Sequence, residues 1–450
     1  MTLPPKPESR PAKVSLWRYA RLFRQDILSA QPARLYRAWM AEFKTPFFRS
    51  YLINQPDLIQ TVLKTRPDEY PKSDRIGEGL RPLLGNSVFL TNGAIWKRQR
   101  RIIDPAFEGG RLRETFPAIW DAAEAAAARL APHDGAPLEV EAQTSHAAAD
   151  VIFRTLFSIP IEHYMAREVF DEFKTYQRSQ PILNIAAFVP LPRWLPRLFR
   201  RDTKRSAAKI RRLITALTAE RMEAIKAGTA PDDLATKIMT TPDPEDGSTF
   251  TTDEMVDQVA IFFLAGHETS ASALAWAMYL VATHPDWQDR LAEEAQAIDQ
   301  CDFAVMGKLR QSRDVFREAL RLYPPVPMMV REASCPATFR DRTVARGAQV
   351  VISPWHLHRH ERLWDNPDGF DPARWHSENG KKCQREAYLP FSAGARVCPG
   401  AGFAMVEGPL ILSRILRDYR IEVVGEKPPV PVAHLTVRSK DGILLRFVRR

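Results

Sequence analysis

The stretch Phe391-Ser392-Ala393-Gly394-Ala395-Arg396-Val397-Cys398-Pro399-Gly400 decides how the rest of the chain is read. Its pattern is Phe-x-x-Gly-x-Arg-x-Cys-x-Gly, and each fixed position has a physical use. Gly394 permits a tight turn with positive φ that a side chain would block. Arg396 sets a permanent cation two residues before a thiol. Pro399 suits the first turn of a helix, where its missing N–H would be an orphan anyway. A cysteine just ahead of a helix N-terminus and near an arginine is favoured as thiolate, which makes Cys398 a soft metal ligand. A lone cysteine is ordinarily buried and inert; the pattern around this one points to chemistry instead.

Composition bounds what that chemistry can belong to. With 450 residues, 45% hydrophobic and 26% charged, the chain is ordinary globular material, long enough for two or three domains. Lysine and arginine number 64 against 54 acids, a net charge of +10. That balance favours acidic partners: an acidic electron-transfer protein, an anionic membrane surface or nucleic acid. No nucleic-acid motif of the usual kinds is present, so no nucleic-acid partner is expected. Cys301, Cys335, Cys383 and Cys398 are widely spaced without a C-x-x-C pair, which fits a reducing cytosol and a cytoplasmic location. Residues 1–13 are Pro-rich and charged without the apolar core of a signal peptide, and read as a disordered arm. The span Val256 to Thr283 is apolar but carries Asp257, His267 and Glu268, which are costly in hydrocarbon. It reads as a buried helix rather than a transmembrane anchor.

Working outward, Val14 to Leu28 is a basic amphipathic helix and Pro32 to Phe43 a second candidate. Either packs on the body or makes a weak membrane-surface contact. Trp96 and Arg100 are four apart on one helix face, where an indole N–H and a guanidinium can hold a carboxylate. Pro181 to Arg200 is apolar and Pro-interrupted, like a lid. Thr251-Thr252-Asp253-Glu254 caps a helix reaching Thr283. Its middle, Ala265-Gly266-His267-Glu268-Thr269-Ser270, combines small residues that let a flat group approach with an acid and a hydroxyl. A buried Glu is costly unless paired or functional. Glu318 and Arg321 share a helix face ended by Tyr323-Pro324-Pro325, and Arg374 follows in Phe370 to Trp375; alone, a Glu-x-x-Arg is usually a surface ion pair. His356, His358 and His360 alternate as on one strand face, with a zinc site as the minority reading.

In this order the motifs resemble the cytochrome P-450 family, the haem-thiolate monooxygenases, over nearly the whole chain. The resemblance implies a mainly α fold with small β-sheets, one domain spanning residues 14–450. It implies haem b held between the Ala265–Thr269 helix and the Cys398 loop, with Cys398 as axial thiolate ligand. Trp96, Arg100, Arg331 and Arg396 are then the propionate residues, with Ala265 and Phe391 also binding the cofactor. Glu268 and Thr269 become the catalytic pair that organises proton delivery. Glu318, Arg321 and Arg374 become a structural triad fixing the meander (about 376–390) that presents the cysteine, and the 181–200 segment falls at the substrate-entry lid. The implied reaction places one atom of dioxygen in a C–H bond of an apolar substrate: a fatty acid, terpenoid or sterol-like molecule. No Gly-x-Gly-x-x-Gly opens a strand–helix unit, so electrons come from outside. An acidic ferredoxin or flavodoxin with its reductase is expected to dock on Arg98, Arg101, Lys381, Lys382 and Arg396 of a monomer. Rival readings are a peroxide-driven peroxygenase, which can dispense with the Glu268–Thr269 pair, and a non-catalytic haem carrier or sensor. Pro399 has no N–H to offer the sulfur, which leaves a thiolate more electron-donating.

Overall fold

The computed structural model describes residues 3–44, 48–179, 201–433 and 435–450. The lid expected at 181–200 lies outside them. Helices predominate, with small sheets, and they gather into two compact units: residues 1–71, 123–147 and 269–450 in one, 72–122 and 148–268 in the other. The boundary falls inside the long helix Thr252–Ala282, between Glu268 and Thr269.

In the first unit, a four-stranded sheet runs in the order Met40–Lys44, Arg49–Ile53, Gln349–Ile352, Met329–Glu332. Its inner pair is parallel and its outer pairs antiparallel. The faces of this sheet bury Tyr51, Ile53, Val350 and Ile352 with Val62, Leu63, Trp364 and Trp375. Burying one such side chain is worth about 1.5–3 kcal/mol. The helix Ala401–Asp418 packs on Pro285–Gln296 and Arg310–Leu322. Pro137–Glu139, Leu444–Arg449 and Tyr419–Val423 form a second sheet.

Three local expectations change. Pro32 to Phe43 gives one tight turn, Ala33–Tyr36, followed by the strand Met40–Lys44. The Asn54 amide donates to Leu35 O at 2.9 Å and Ala38 O at 3.0 Å, satisfying the turn's carbonyls, while the 49–53 ladder takes the strand. The histidine run is not a strand either. Pro354 opens a helical turn to Leu357, capped by the Ser353 hydroxyl, so the three rings do not align on one face. Each is buried with its own neighbour: Ser353 Oγ lies 2.8 Å from His356 Nδ1, Leu389 N donates to His358 Nε2 at 2.8 Å, and His360 stacks on Trp39. Burial pushes His356 and His358 down to about 3 and His360 to about 4. Among the described residues, no group of three His, Cys, Asp or Glu is placed to hold a metal ion. Lastly, the arm expected to be disordered makes packed contacts. Tyr323 Oη donates to Pro5 O at 2.8 Å, Lys6 pairs with Asp368, and Arg10 N bonds Gln31 O. Asp368 also lies 3.6 Å from the buried Arg359, whose guanidinium sits 4.0 Å over the Trp355 ring.

The second unit pairs the helices Tyr164–Ser179 and Arg201–Lys226. The long helix starts with a reciprocal cap: Glu254 N donates to Thr251 Oγ1 and Thr251 N to the Glu254 carboxylate, which satisfies two orphan donors at once. Asp257, one turn on, accepts from Asn86 N at 2.7 Å and from Arg211 Nη1 at 2.7 Å. Gln258 accepts from Val88 N at 2.9 Å. The 72–92 segment is thereby stapled down, with short helices at Asp74–Gly77 and Arg81–Leu84. Gly85 sits at φ +51°, and a Cβ there would lie 2.1 Å from the Asp257 carboxylate.

Candidate functional site

The cysteine loop is closed by its own backbone. Cys398 N donates to Phe391 O at 2.9 Å and Val397 N to Gly394 O at 3.0 Å. Gly394 adopts φ +68°, and a Cβ on it would stand 2.0 Å from Leu63 O, so the turn needs glycine for conformation and for space. The following helix begins at Ala401 with Gly400 as its N-cap. Pro399 therefore lies in the turn before the helix, not in its first turn. Phe391 is half-buried, and the Cys398 thiol is exposed just ahead of the helix. Cys383 contrasts with it: buried, its thiol is pushed up to about 11.

Two guanidinium groups flank this loop within the same unit. Arg396 donates to Pro67 O at 2.7 Å, and burial lowers its pKa. Arg331, 7% exposed, projects from the strand Met329–Glu332; its Nε has no hydrogen-bond partner among the described residues. Burial, with Arg396 adding repulsion, pushes Arg331 down to about 10. Two desolvated cations side by side are unfavourable unless an anion joins them. A soft thiol and the buried Arg331 guanidinium, with the half-buried Arg396 close enough to repel it, form a donor set that fits a thiolate-ligated haem and its propionates.

Glu318 is fully buried. It accepts from Arg321 Nη2 at 2.8 Å, Arg321 Nε at 3.0 Å, Arg374 Nε at 2.9 Å and Asp371 N at 3.0 Å. Burial alone would raise its carboxyl; the two arginines outweigh that and hold it below the usual value. The spare guanidinium donors reach backbone carbonyls of His358, Asp365, Asn366, Pro367 and Gly369. The three residues are thus brought together, and they frame the 358–374 turn. The 376–390 segment after it carries the helix Glu378–Glu386.

In the second unit Trp96 is buried on the helix Gly93–Ile103. Arg100 Nε lies 2.7 Å from Asp104 Oδ1, so its charge is partly met on its own helix. On the long helix, Ala265 is exposed, with Phe262, Gly266 and Thr269 half-exposed, while His267 and Glu268 are buried. These positions recur at helical spacing and form the least covered stripe of the helix's middle, although a Cβ on Gly266 would stand 2.4 Å from the Ile152 side chain. The acid and the hydroxyl, adjacent in sequence, differ accordingly: Thr269 lies on the stripe and Glu268 off it. His267 packs edge-on against Phe170.

Part of the expected docking set is engaged elsewhere. Arg98 bonds Glu254 at 2.9 Å and Ser248 Oγ at 3.0 Å. Arg101 takes Asp243 at 2.6 and 2.7 Å and holds that carboxyl at about 2. Lys381 lies 3.4 Å from Glu378, and Lys382 is exposed. Sequence reasoning missed Glu407, buried on the helix Ala401–Asp418 and bonded to the Ser270 hydroxyl. Burial raises its carboxyl to about 7, with Ser270 pulling the other way. The available clue was a single acid inside the apolar run Ala401 to Leu412.

Comparison with known proteins places the chain among relatives. The chain is 32% identical over 387 residues to cyclooctat-9-en-7-ol 5-monooxygenase of Streptomyces melanosporofaciens, covering 84% of this chain and 81% of that one. It is 30% identical over 431 residues to cytochrome P450 4A14 of Rattus norvegicus, covering 91% and 82%. The crystal structure of the cytochrome P450DA haem domain superposes with a TM-score of 0.79 at 22% identity, covering 100% of this chain and 98% of that one. The fold is therefore that of one P450 domain. The family model for cytochrome P450 matches residues 36–446, and the chain belongs to the cytochrome P450 family.

Proposed function

We propose that this cytochrome P450 hydroxylates an apolar small molecule, a fatty acid, terpenoid or sterol-like compound, with electrons from an acidic ferredoxin or flavodoxin. Family membership carries haem b and the chemistry of an oxygen-incorporating oxidoreductase. When bound, a thiolate-ligated haem supplies the oxidising chemistry. The protein's residues do the rest. Cys398 would supply the thiolate that holds the haem iron, from a loop whose shape Gly394 and the Phe391 carbonyl fix. Arg331 and Arg396 in one unit, and Trp96 and Arg100 in the other, are the residues that would hold the propionates, where a bidentate or charge-assisted contact fixes orientation as well as adding affinity. Ala265, small and exposed, would leave room for the cofactor, and the half-buried Phe391 would line it. Thr269 positions a water by its hydroxyl, and Glu268 supplies the proton that this water passes on.

The observation that carries the reading is the exposed Cys398 two residues after Arg396, which in turn repels the buried Arg331. The relative named for cyclooctat-9-en-7-ol supports an apolar, polycarbon substrate. The test is the carbon monoxide difference spectrum of the reduced protein: a strongly red-shifted Soret band is expected, and a Cys398→His variant that folds should lose it. An unshifted band in the unaltered protein would defeat the assignment. Dodecanoic acid and a diterpene alcohol, titrated separately for a spin-state change, distinguish the substrate classes. Reduction by an acidic ferredoxin should slow as salt rises; a flat rate argues against electrostatic docking.

A further inference from the structure

The helix Leu16–Gln25 has two faces that divide cleanly at 100° per residue. Tyr19, Leu22 and Phe23 are half-buried, while Trp17, Arg18, Ala20, Arg21, Arg24 and Gln25 are exposed. The apolar face is thus already used on the protein, and the outer face is cationic with one large aromatic at its centre. Trp17 is 88% exposed, more than any other large hydrophobic residue described. From Ser9 to Gln25 the sequence has five basic residues and no acid. Arg10 turns inward onto Ala30 O; Lys13, Arg18, Arg21 and Arg24 are exposed.

The helix is fixed in place rather than trailing. Asp26, its buried C-cap, accepts from Leu28 N at 3.0 Å, Ser29 N at 2.8 Å and Ala433 N at 2.8 Å. Ile27 N returns a bond to Ala433 O at 3.2 Å. That fastening joins the helix end to the hairpin of Pro431–Ala433 and Val437–Ser439, whose flanks Val430 and Leu435 are exposed apolar residues. Basic residues at one outward face, a tryptophan among them and exposed aliphatics on the attached hairpin describe a surface that is wetted on one side and greasy on the other.

We infer that this outer face of Leu16–Gln25 is a peripheral docking surface for an anionic lipid bilayer. Charge decides for lipid. Each lysine or arginine near an anionic leaflet adds a comparable increment of attraction, and indole rings settle at the headgroup level, with an apolar body and an N–H that stays hydrated. A convex helix face offers no groove to grip a folded partner, whereas a bilayer needs none. The contact is reversible, since one helix face lacks the buried apolar area of an inserted anchor.

The experiment floats the haem-loaded full chain with vesicles of phosphatidylcholine alone and of phosphatidylcholine with phosphatidylglycerol, at low and high salt. Binding is expected only to the phosphatidylglycerol vesicles, and it should fall with salt. Replacing three charges together, Arg18→Gln, Arg21→Gln and Arg24→Gln, should weaken binding about 100-fold. Trp17→Ser should weaken it about tenfold while keeping the salt dependence. All these side chains are exposed, so the Soret band of each variant reports that folding and haem loading are intact. Equal binding to both vesicles, no binding, or wild-type binding by the triple variant overturns the inference. So does a triple variant that binds vesicles normally but is reduced more slowly by an acidic ferredoxin, which assigns the face to a protein. None of these readouts requires turnover, so failure here is separable from failure of the monooxygenase reading.

Discussion

Arg331 pulls stability in opposite directions in the apo and haem-loaded states. Its guanidinium, held down to about 10 by burial and by Arg396, burdens the protein until an anion meets it. Arg331→Met should therefore raise apo-protein stability by about 1 kcal/mol or more, while haem retention falls about 10- to 100-fold. Denaturant midpoints with and without haem, and the rate of haem transfer to apomyoglobin, check both signs. Glu407 gives a second test. Its folded-state carboxyl, raised to about 7, binds a proton that the unfolded chain has released. That contribution is complete below the unfolded value and disappears as pH rises through 7. From pH 5 to 8 the wild type should lose up to about 3 kcal/mol relative to Glu407→Gln, read as the difference between the two unfolding curves. At this scale the sequence was most legible where a residue's chemistry stood out locally, as at Cys398, Gly394 and Glu318. Glu407 was hidden because its partner, Ser270, lies 137 positions away, and no local spacing announces such a pair. The loss of Arg98 and Arg101 from the docking set has the same origin, since their acids come from 243, 245 and 254.

Among the elements, long periodic helices were readable and short ones were not. Thr252–Ala282 follows from its cap and its apolar length. The Met40–Lys44 strand was misread as helix because its fate depends on a ladder and on the Asn54 amide, neither visible in the pattern of 32–43. The short helices within 72–92 are hidden in the sequence for the same reason: their order comes from Asp257 and Gln258 on another element. Gly85 tests how much that stapling matters. An alanine there meets both a positive φ and the Asp257 carboxylate, so Gly85→Ala should cost more than about 2 kcal/mol. Hydrogen exchange at Asn86 and Val88 N–H should accelerate, with the helix Tyr164–Ser179 little changed; unaltered exchange would mean the staple tolerates the methyl group.

Across the molecule, acid is the expected weakness. His356 and His358 are neutral in the folded state down to about pH 3, whereas unfolded histidine charges near 6.5. Unfolding takes up two protons between these limits, so the stability they protect is whole above 6.5 and declines as pH falls. The slope is about 3 kcal/mol per pH unit for the pair at ε-independent linkage. His358→Gln should halve it, which urea midpoints at pH 6 and pH 5 will show. Alternation in the sequence points these rings to one strand face, with a zinc site only as the minority reading. A capped turn buries them separately instead, and the helix class, motif order and cysteine loop were legible while that turn was not.

The packed N-terminal arm bears on how such a chain is made. Pro5 meets Tyr323 across 318 positions, and Lys6 meets Asp368 across 362. Synthesis delivers the arm first and its receptors far later, so the opening residues emerge with nothing to rest on. They settle only after the unit around Tyr323 and Arg359 exists. Contacts absent from the transition state leave the speed of folding untouched and act on its reversal, so bonds of this reach, if made after it, work as a bolt against unfolding.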